Sequence, residues 1–225
     1  MKTKEYKLIE RYMLKCMSDS AHDKDHIYRV LYIALDIAEY EKDVDHNVLI
    51  AACLLHDIGR QEQFDNPQLC HANVGAIKAY DFLMKNGFDI GFANKVASCI
   101  RAHRFRSENP PIQIEEQILF DSDKIDVTGT IGIARTIFYK GQVNEPLYSL
   151  TENGYVADGT DDLKPSFFQE YKFKLEGLYT KFYTKRGKEI ALQRQHSAKA
   201  FYESMLKETR ETYQLGKALV DNWIE

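Results

Sequence analysis

The sequence predicts an all-α fold that ends in a pair of long helices. Three observations carry this reading. Apolar residues recur every three to four positions over long stretches of the chain. Gly59, Gly87 and Pro110-Pro111 punctuate those stretches. No alternating run with hairpin chemistry interrupts them.

Taken in order, Tyr6, Ile9, Met13, Leu14 and Met17 form one helical stripe, and Ile27, Val30, Leu31, Ala34, Ile37 and Ala38 form a second. Ser20 or Asp23 can cap the start of that second helix, since either side-chain oxygen can accept its free N–H groups. A third helix runs roughly from Asp45 to His56 and contains the most apolar run of the chain, Val48 to Leu55. Gly59 ends the pattern. Further helices are expected over about 72–85, 92–103 and 115–127. Gly87 closes the first of these. Pro110-Pro111 is a firm stop, because the second proline forbids helix at the first. The stretch 141–165 holds three glycines, two prolines and several Asn and Asp residues, and reads as a long surface loop, a lid or a specificity segment. The remainder, 166–225, reads as the long-helix pair. The expected organisation is a helical core over 1–140, the loop over 141–165, and C-terminal helices packed back on the core as one domain of 225 residues.

Composition narrows the function classes. Hydrophobic residues are 44% and charged residues 28% of the chain, which places it among globular domains. A net charge of -4 gives no electrostatic reason to bind nucleic acid or an anionic membrane. The Val48 to Leu55 run is too short to span a bilayer, and the Lys- and Glu-rich N-terminus lacks the apolar core of a signal peptide, so a cytoplasmic location is expected. The cysteines Cys16, Cys53, Cys70 and Cys99 form no CxxC pair and read as reduced thiols, mostly small core hydrophobes.

Chemistry concentrates in the histidines and aspartates. Ala21 to His26, Leu55 to Gly59, Cys70-His71, Ala102 to Arg104 and the acidic run Asp121 to Asp126 all lie beside apolar helical stretches. Burying so many ionisable groups is costly unless they pair or bind a metal. His56-Asp57 is the most informative pair. Adjacent helical residues point about 100° apart, so both reach one ion only where a helix ends, and Gly59 supplies that ending. Imidazole nitrogen with carboxylate oxygen suits Mn, Fe, Co, Ni, Zn or Mg. Simpler roles are expected elsewhere: His46 and His196 on the surface, His22 supporting a helix start, Asp123 and Asp126 in structural ion pairs or caps, and Cys70 as a buried neutral thiol. The aromatic series Phe167, Phe168, Tyr171, Phe173, Tyr179, Phe182 and Tyr183 reads as core, and the charges of the last helices as a solvated face.

These residues carry a family resemblance. HDxxHIxRV from His22, LLHDIGR from Leu54 and DSDKID from Asp121 resemble the ordered H…HD…D signature of HD-domain phosphohydrolases. DSDKIDVTGTIGIART from Asp121 is similar to the DADRLDAIGAIGIAR pattern of small bacterial HD-domain proteins, with mild departures at Ser122, Lys124, Ile125, Val127 and Thr128, and the segment from Phe167 resembles their C-terminal helical pair. The resemblance implies an HD-domain helical bundle with one or two divalent metal ions. His26, His56, Asp57 and Asp121 are then the metal ligands. His71 and His103 match two further histidines, which in such proteins hold a second metal or line the phosphate site. Asp57 is placed to orient a water. Arg60, Arg104 and Lys124 are the candidates to neutralise phosphate charge. The expected activity is hydrolysis of a phosphate ester or anhydride of a small nucleotide, with nucleoside triphosphate pyrophosphohydrolysis first among the reactions. A 5′-nucleotidase or cyclic-nucleotide phosphodiesterase is the alternative within that chemistry, and a non-catalytic nucleotide sensor the alternative outside it. Pairing of the C-terminal helices would make a homodimer.

Overall fold

The computed structural model describes residues 1–17, 24–104 and 109–224. The chain divides into two compact units: Met1–Asp126 with Tyr183–Gly187, and Val127–Phe182 with Lys188–Glu225. The first division therefore falls at 126, ahead of the expected 140. Helices account for the regular structure throughout, and the described residues contain one isolated bridge, Leu150 to Val156, and no strand.

The first unit is built from α1 (Thr3–Cys16), α2 (Lys24–Ala38), α3 (His46–Leu55), α4 (Arg60–Asp65), α5 (His71–Lys85), α6 (Ile90–Ala102) and α7 (Ile114–Ile125). α3 is its centre, packing on α1, α2, α6 and α7, while α5 lies along α6 and α2 along α7. All of Val48, Leu49, Ala51, Ala52, Cys53, Leu54 and Leu55 are buried, which explains why α3 is apolar on every face. Local chemistry sets the ends. The Asp45 carboxylate accepts from the N–H of Asn47 and Val48 at the start of α3, and Asp89 accepts from Phe92 at the start of α6. Glu116 closes α7 by accepting from Gln113 and Ile112, just after the proline pair. Gly87, at φ 77°, ends α5, with the Phe88 N–H donating to the Leu83 carbonyl. The expected caps Ser20 and Asp23, and His22, lie outside the described residues.

The second unit holds α8 (Gly129–Gln142), the short α9 (Phe167–Glu170), a π-helical turn over Tyr171–Leu175, a 3-10 turn over Leu178–Thr180, and the body of α10 (Lys185–Trp223). Its core is aromatic: Phe167, Phe168, Tyr171, Tyr179 and Tyr202 pack with Ile133, Val156 and Leu175. The Tyr171 and Tyr202 rings stack with centroids 4.1 Å apart. Phe173 and Tyr183, expected in the core, are instead exposed. The expected long-helix pair is one 39-residue helix preceded by short, irregular turns. The physical reason is local: Thr184 accepts from the Gly187 N–H and so starts a new helix at Lys185, breaking any continuous run. The 141–165 stretch is tied down at several points. Tyr202 donates its hydroxyl to the Asp158 carbonyl, Arg210 donates to the Val156 carbonyl, and Val156 and Ala157 are buried. Gly159, at φ 99°, lies so close to the Phe168 carbonyl that a Cβ would sit 2.2 Å from its oxygen.

Candidate metal centre

α3 ends at His56, and the turn Asp57-Ile58-Gly59 leads into α4. This turn is clamped against the first turns of α5. A Cβ on Gly59 would lie 2.4 Å from the His71 carbonyl oxygen and 2.6 Å from the Gly75 nitrogen, so only glycine allows the approach. Lys78 adds a tie, donating to the Ile58 carbonyl at 2.7 Å and to Glu62 at 2.6 Å. The close approach brings His71 from α5 to the side of Asp57.

Four imidazoles converge on that carboxylate. Asp57 Oδ2 lies 3.6 Å from Nε2 of both His26 and His56. Asp57 Oδ1 lies 3.6 Å from His71 Nε2 and 3.7 Å from His103 Nε2. Asp123 joins the first pair, with Oδ1 3.2 Å from His26 Nε2 and 3.8 Å from His56 Nε2. The pairs themselves are close, with Nε2 atoms 3.3 Å apart in both His26–His56 and His71–His103. Two groups could therefore each hold a metal ion: His26, His56 and Asp123, and Asp57, His71 and His103.

The outer ring nitrogens explain why the inner ones face inward. His56 Nδ1 donates to the Cys53 carbonyl at 2.8 Å, and His103 Nδ1 to the Ile100 carbonyl at 2.6 Å. His71 Nδ1 donates to the Gln63 side-chain oxygen at 2.6 Å. His26 Nδ1 donates to Asp126 Oδ2 at 2.7 Å, and Arg29 braces that carboxylate from its other side. An imidazole whose Nδ1 donates in its neutral form has its lone pair on Nε2. Donor atoms about 2.1 Å from a tetrahedral ion lie roughly 3.4 Å from one another, which is the spacing within both groups. The donor set thus fits a divalent ion of the imidazole- and carboxylate-binding kind.

Electrostatics differ between the groups. Burial would depress the His26 imidazolium, but Asp123, Asp126 and Asp57 overcome it and raise its pKa to about 9, so this pocket favours positive charge. Burial lowers His56 to about 4. Burial, reinforced by the Arg60 charge, lowers His71 to about 3. Asp57 is buried, yet His56, Arg60 and His103 hold its carboxyl well below the usual carboxylate range, and His26 and His56 do the same for Asp123.

Asp121, expected among the ligands, does not join either group. Its carboxylate accepts from the Tyr183 and Thr184 N–H groups and from the Thr184 hydroxyl, at 2.7 to 3.1 Å, and so anchors the start of α10. Asp123 stands where Asp121 was expected, because two residues along a helix turn the side chain by about 200°. Asp126, three further on, returns to the same face, in the ion-pairing role expected of it. Arg60 donates from Nε to Asp57 Oδ1 at 2.9 Å. Arg104 points Nη1 at Cys70 Sγ, 3.7 Å away. Cys70 is half-buried rather than buried, and the N–H groups of Asn73 and Ala72 with Arg104 outweigh desolvation to lower its pKa. Lys124 lies over the Phe120 ring, 4.1 Å from its centroid. Gln63 was not singled out in the sequence and no motif marks it; Arg29 lies within the HDxxHIxRV motif, where no role was assigned to it.

Known proteins resemble this chain in sequence and in fold. Residues 24–128 match the model of the HD domain family. Over 140 residues the chain is 31% identical to the uncharacterized protein YpgQ of Bacillus subtilis, covering 60% of this chain and 65% of that protein, a little under two thirds of its length. A predicted HD superfamily hydrolase from an uncultured Thermotogales bacterium superposes with a TM-score of 0.60 at 29% identity, covering 92% of each chain. The structure of B. subtilis YpgQ in complex with ADP gives a TM-score of 0.69 at 24% identity over 90% of this chain and 97% of that one. The Lin1889 protein of Listeria innocua gives 0.69 at 24%, over 93% and 98%. Residues 24–128, with the histidine and aspartate cluster at their centre, are thus similar to the HD domain, and the chain shares the all-α fold of a predicted HD-superfamily hydrolase.

Proposed function

We propose that this protein is a metal-dependent phosphohydrolase acting on a small nucleotide, with release of pyrophosphate from a nucleoside triphosphate as its first candidate reaction. The observation that carries the reading is the convergence of inward-facing Nε2 atoms and carboxylates on Asp57. His26, His56, Asp123 and Asp57 Oδ2 would hold a divalent ion. When bound, such an ion supplies a water of lowered pKa and polarises a phosphoryl oxygen. The remaining work falls to side chains of this chain. Asp126 and the Cys53 carbonyl fix the His26 and His56 rings. Arg60, beside Asp57, and Arg104, beside Cys70-His71, are positioned to take up phosphate charge through planar, two-pronged contacts. Lys124, held against Phe120, belongs to this reading as a charge further along the same helix as Asp123. Nucleotides are favoured as the substrate class because YpgQ, a relative by sequence, has been crystallised with ADP.

The test is hydrolysis of a panel of nucleotides by metal-stripped protein with Mn, Co, Ni, Mg or Zn restored. Phosphate and pyrophosphate are scored separately, beside a His56→Ala, Asp57→Ala control. Metal-dependent turnover lost in the control supports the reading. Turnover equal in the control, or none with any nucleotide and any metal, would remove it.

A further inference from the structure

α10 runs past the core it belongs to. Leu206, Thr209, Tyr213, Gly216, Val220 and Trp223 follow one another at steps of three and four, and so form one stripe of the helix. Leu206 and Tyr213, at its start, pack against the aromatic core of the second unit. Beyond Tyr213 the stripe continues in kind but not in burial. Val220 is 52% exposed, Trp223 85% and Ile224 70%, with Leu219, 50% exposed, along the edge. The polar flank of the same turns is the one that meets its own chain. Arg210 donates to the Val156 carbonyl, Arg210 and Gln214 line a cleft with Thr151, Tyr155 and Leu163, and a Cβ on Gly154 would lie 3.3 Å from Lys217 Nζ.

A contiguous row of exposed apolar side chains marks a surface that another molecule covers. Gly216 identifies that molecule. Glycine inside a helix is unfavourable, and among the described residues no atom lies within 4 Å of where its Cβ would be, so the space above it is open. Gly216 and Trp223 stand three residues to either side of the Leu219-Val220 pair. Two identical helices packed antiparallel, with their two-fold axis beside Leu219 and Val220, therefore lay the Trp223 indole of each copy over Gly216 of the other, the largest side chain on the missing one. The same register brings Lys217 of one copy within one residue's rise of Asp221 of the other, on the same flank and with opposite charge. We propose that the exposed end of α10 is a self-complementary interface, occupied by a second copy of this chain in antiparallel register, with Trp223 of each copy seated on Gly216 of the other. None of the metal-site residues takes part, so the dimer and the hydrolase reading fail separately.

One face of a helix end is small beside the roughly 800 Å² per partner of a standard interface, so dissociation is expected at about 1–100 μM. Full-length protein is followed across that range by light scattering and by the emission of Trp223, the only tryptophan of the chain. A mass of twice 26.1 kDa is expected at the top of the range, falling to 26.1 kDa on dilution, with the emission shifting to the red over the same concentrations. Val220→Glu places a charge in the stripe at an exposed position, and is expected to weaken association at least about tenfold with helicity by circular dichroism unchanged. Gly216→Trp and Trp223→Gly are each expected to do the same. The double variant exchanges the large and the small partner, and is expected to recover most of the loss. A monomer at every concentration would overturn the proposal and leave the stripe to a different protein. A dimer indifferent to Val220→Glu, or one that forms without any change in Trp223 emission, would place the contact on another face and overturn it as well. A double variant no better than the single ones would remove the antiparallel seating of Trp223 on Gly216.

Discussion

The two units solve the packing problem in opposite ways. Around the histidine cluster the first unit uses small residues: Ala51, Ala52, Gly59, Ala72, Gly75, Ala76, Ala97 and Ala102 line the contacts of α3, α5 and α6. Backbones approach closely there, and the positions of the imidazoles follow from backbone positions. The second unit fills its interior with Phe167, Phe168, Tyr171, Tyr179 and Tyr202. Large rings supply much buried area per residue and leave the backbone freer to wander through π and 3-10 turns. A site whose ligands must meet within tenths of an ångström sits in the unit where the chain itself is the ruler.

That contrast can be broken at several points. The largest effect is expected from Phe168→Ala, which removes a fully buried ring and should cost about 3–5 kcal/mol in denaturant unfolding; a loss below about 1 kcal/mol would show that the rings are not what holds the second unit. Gly59→Ala adds a single methyl group where the His71 carbonyl already sits, and should cost about 3 kcal/mol. Equal stability of the variant and wild type would remove the close-approach argument. Asp126→Asn takes the charge from behind His26, and should weaken Mn binding about 10–100-fold while the fold persists; unchanged Mn affinity would make Asp126 a purely structural partner of Arg29. Asp121→Asn removes charge from the anchor of α10 and should cost about 1–2 kcal/mol with Mn affinity unchanged, whereas loss of the ion would restore Asp121 as a ligand. Smallest, and opposite in sign, Gly141→Ala places a methyl group in open space near the end of α8 and should stabilise by about 0.5 kcal/mol.

Much of this was legible from residue order. The apolar stripes located α1, α2, α3, α5, α6 and α7 to within a few residues, because each buries one face or, for α3, every face. α4 and α8 escaped notice: the first is a six-residue helix with no buried residue, and the second carries three glycines that dilute its pattern. At the site, His26, His56 and Asp57 meet as the motif implied, and His71 and His103 gather on the other side of the same carboxylate. Asp121 misled because the order of acidic residues in DSDKID does not say which face of α7 turns toward α2. The spacing could have helped: Asp123 and Asp126, three apart, share a face, and Asp121 is the one that does not. Gln63 was invisible because a glutamine in a short helix acquires meaning only from the histidine it meets in space.

The four outer hydrogen bonds on His26, His56, His71 and His103 carry a kinetic consequence. Rings already locked in their tautomer and orientation by the folded chain have no rotamer search left when an ion arrives. Loading is then expected to be timed by the ion's own reluctance to shed water rather than by motion of the protein. Magnesium, which dehydrates grudgingly, should enter more slowly than manganese through the same unmoving set of nitrogens and oxygens.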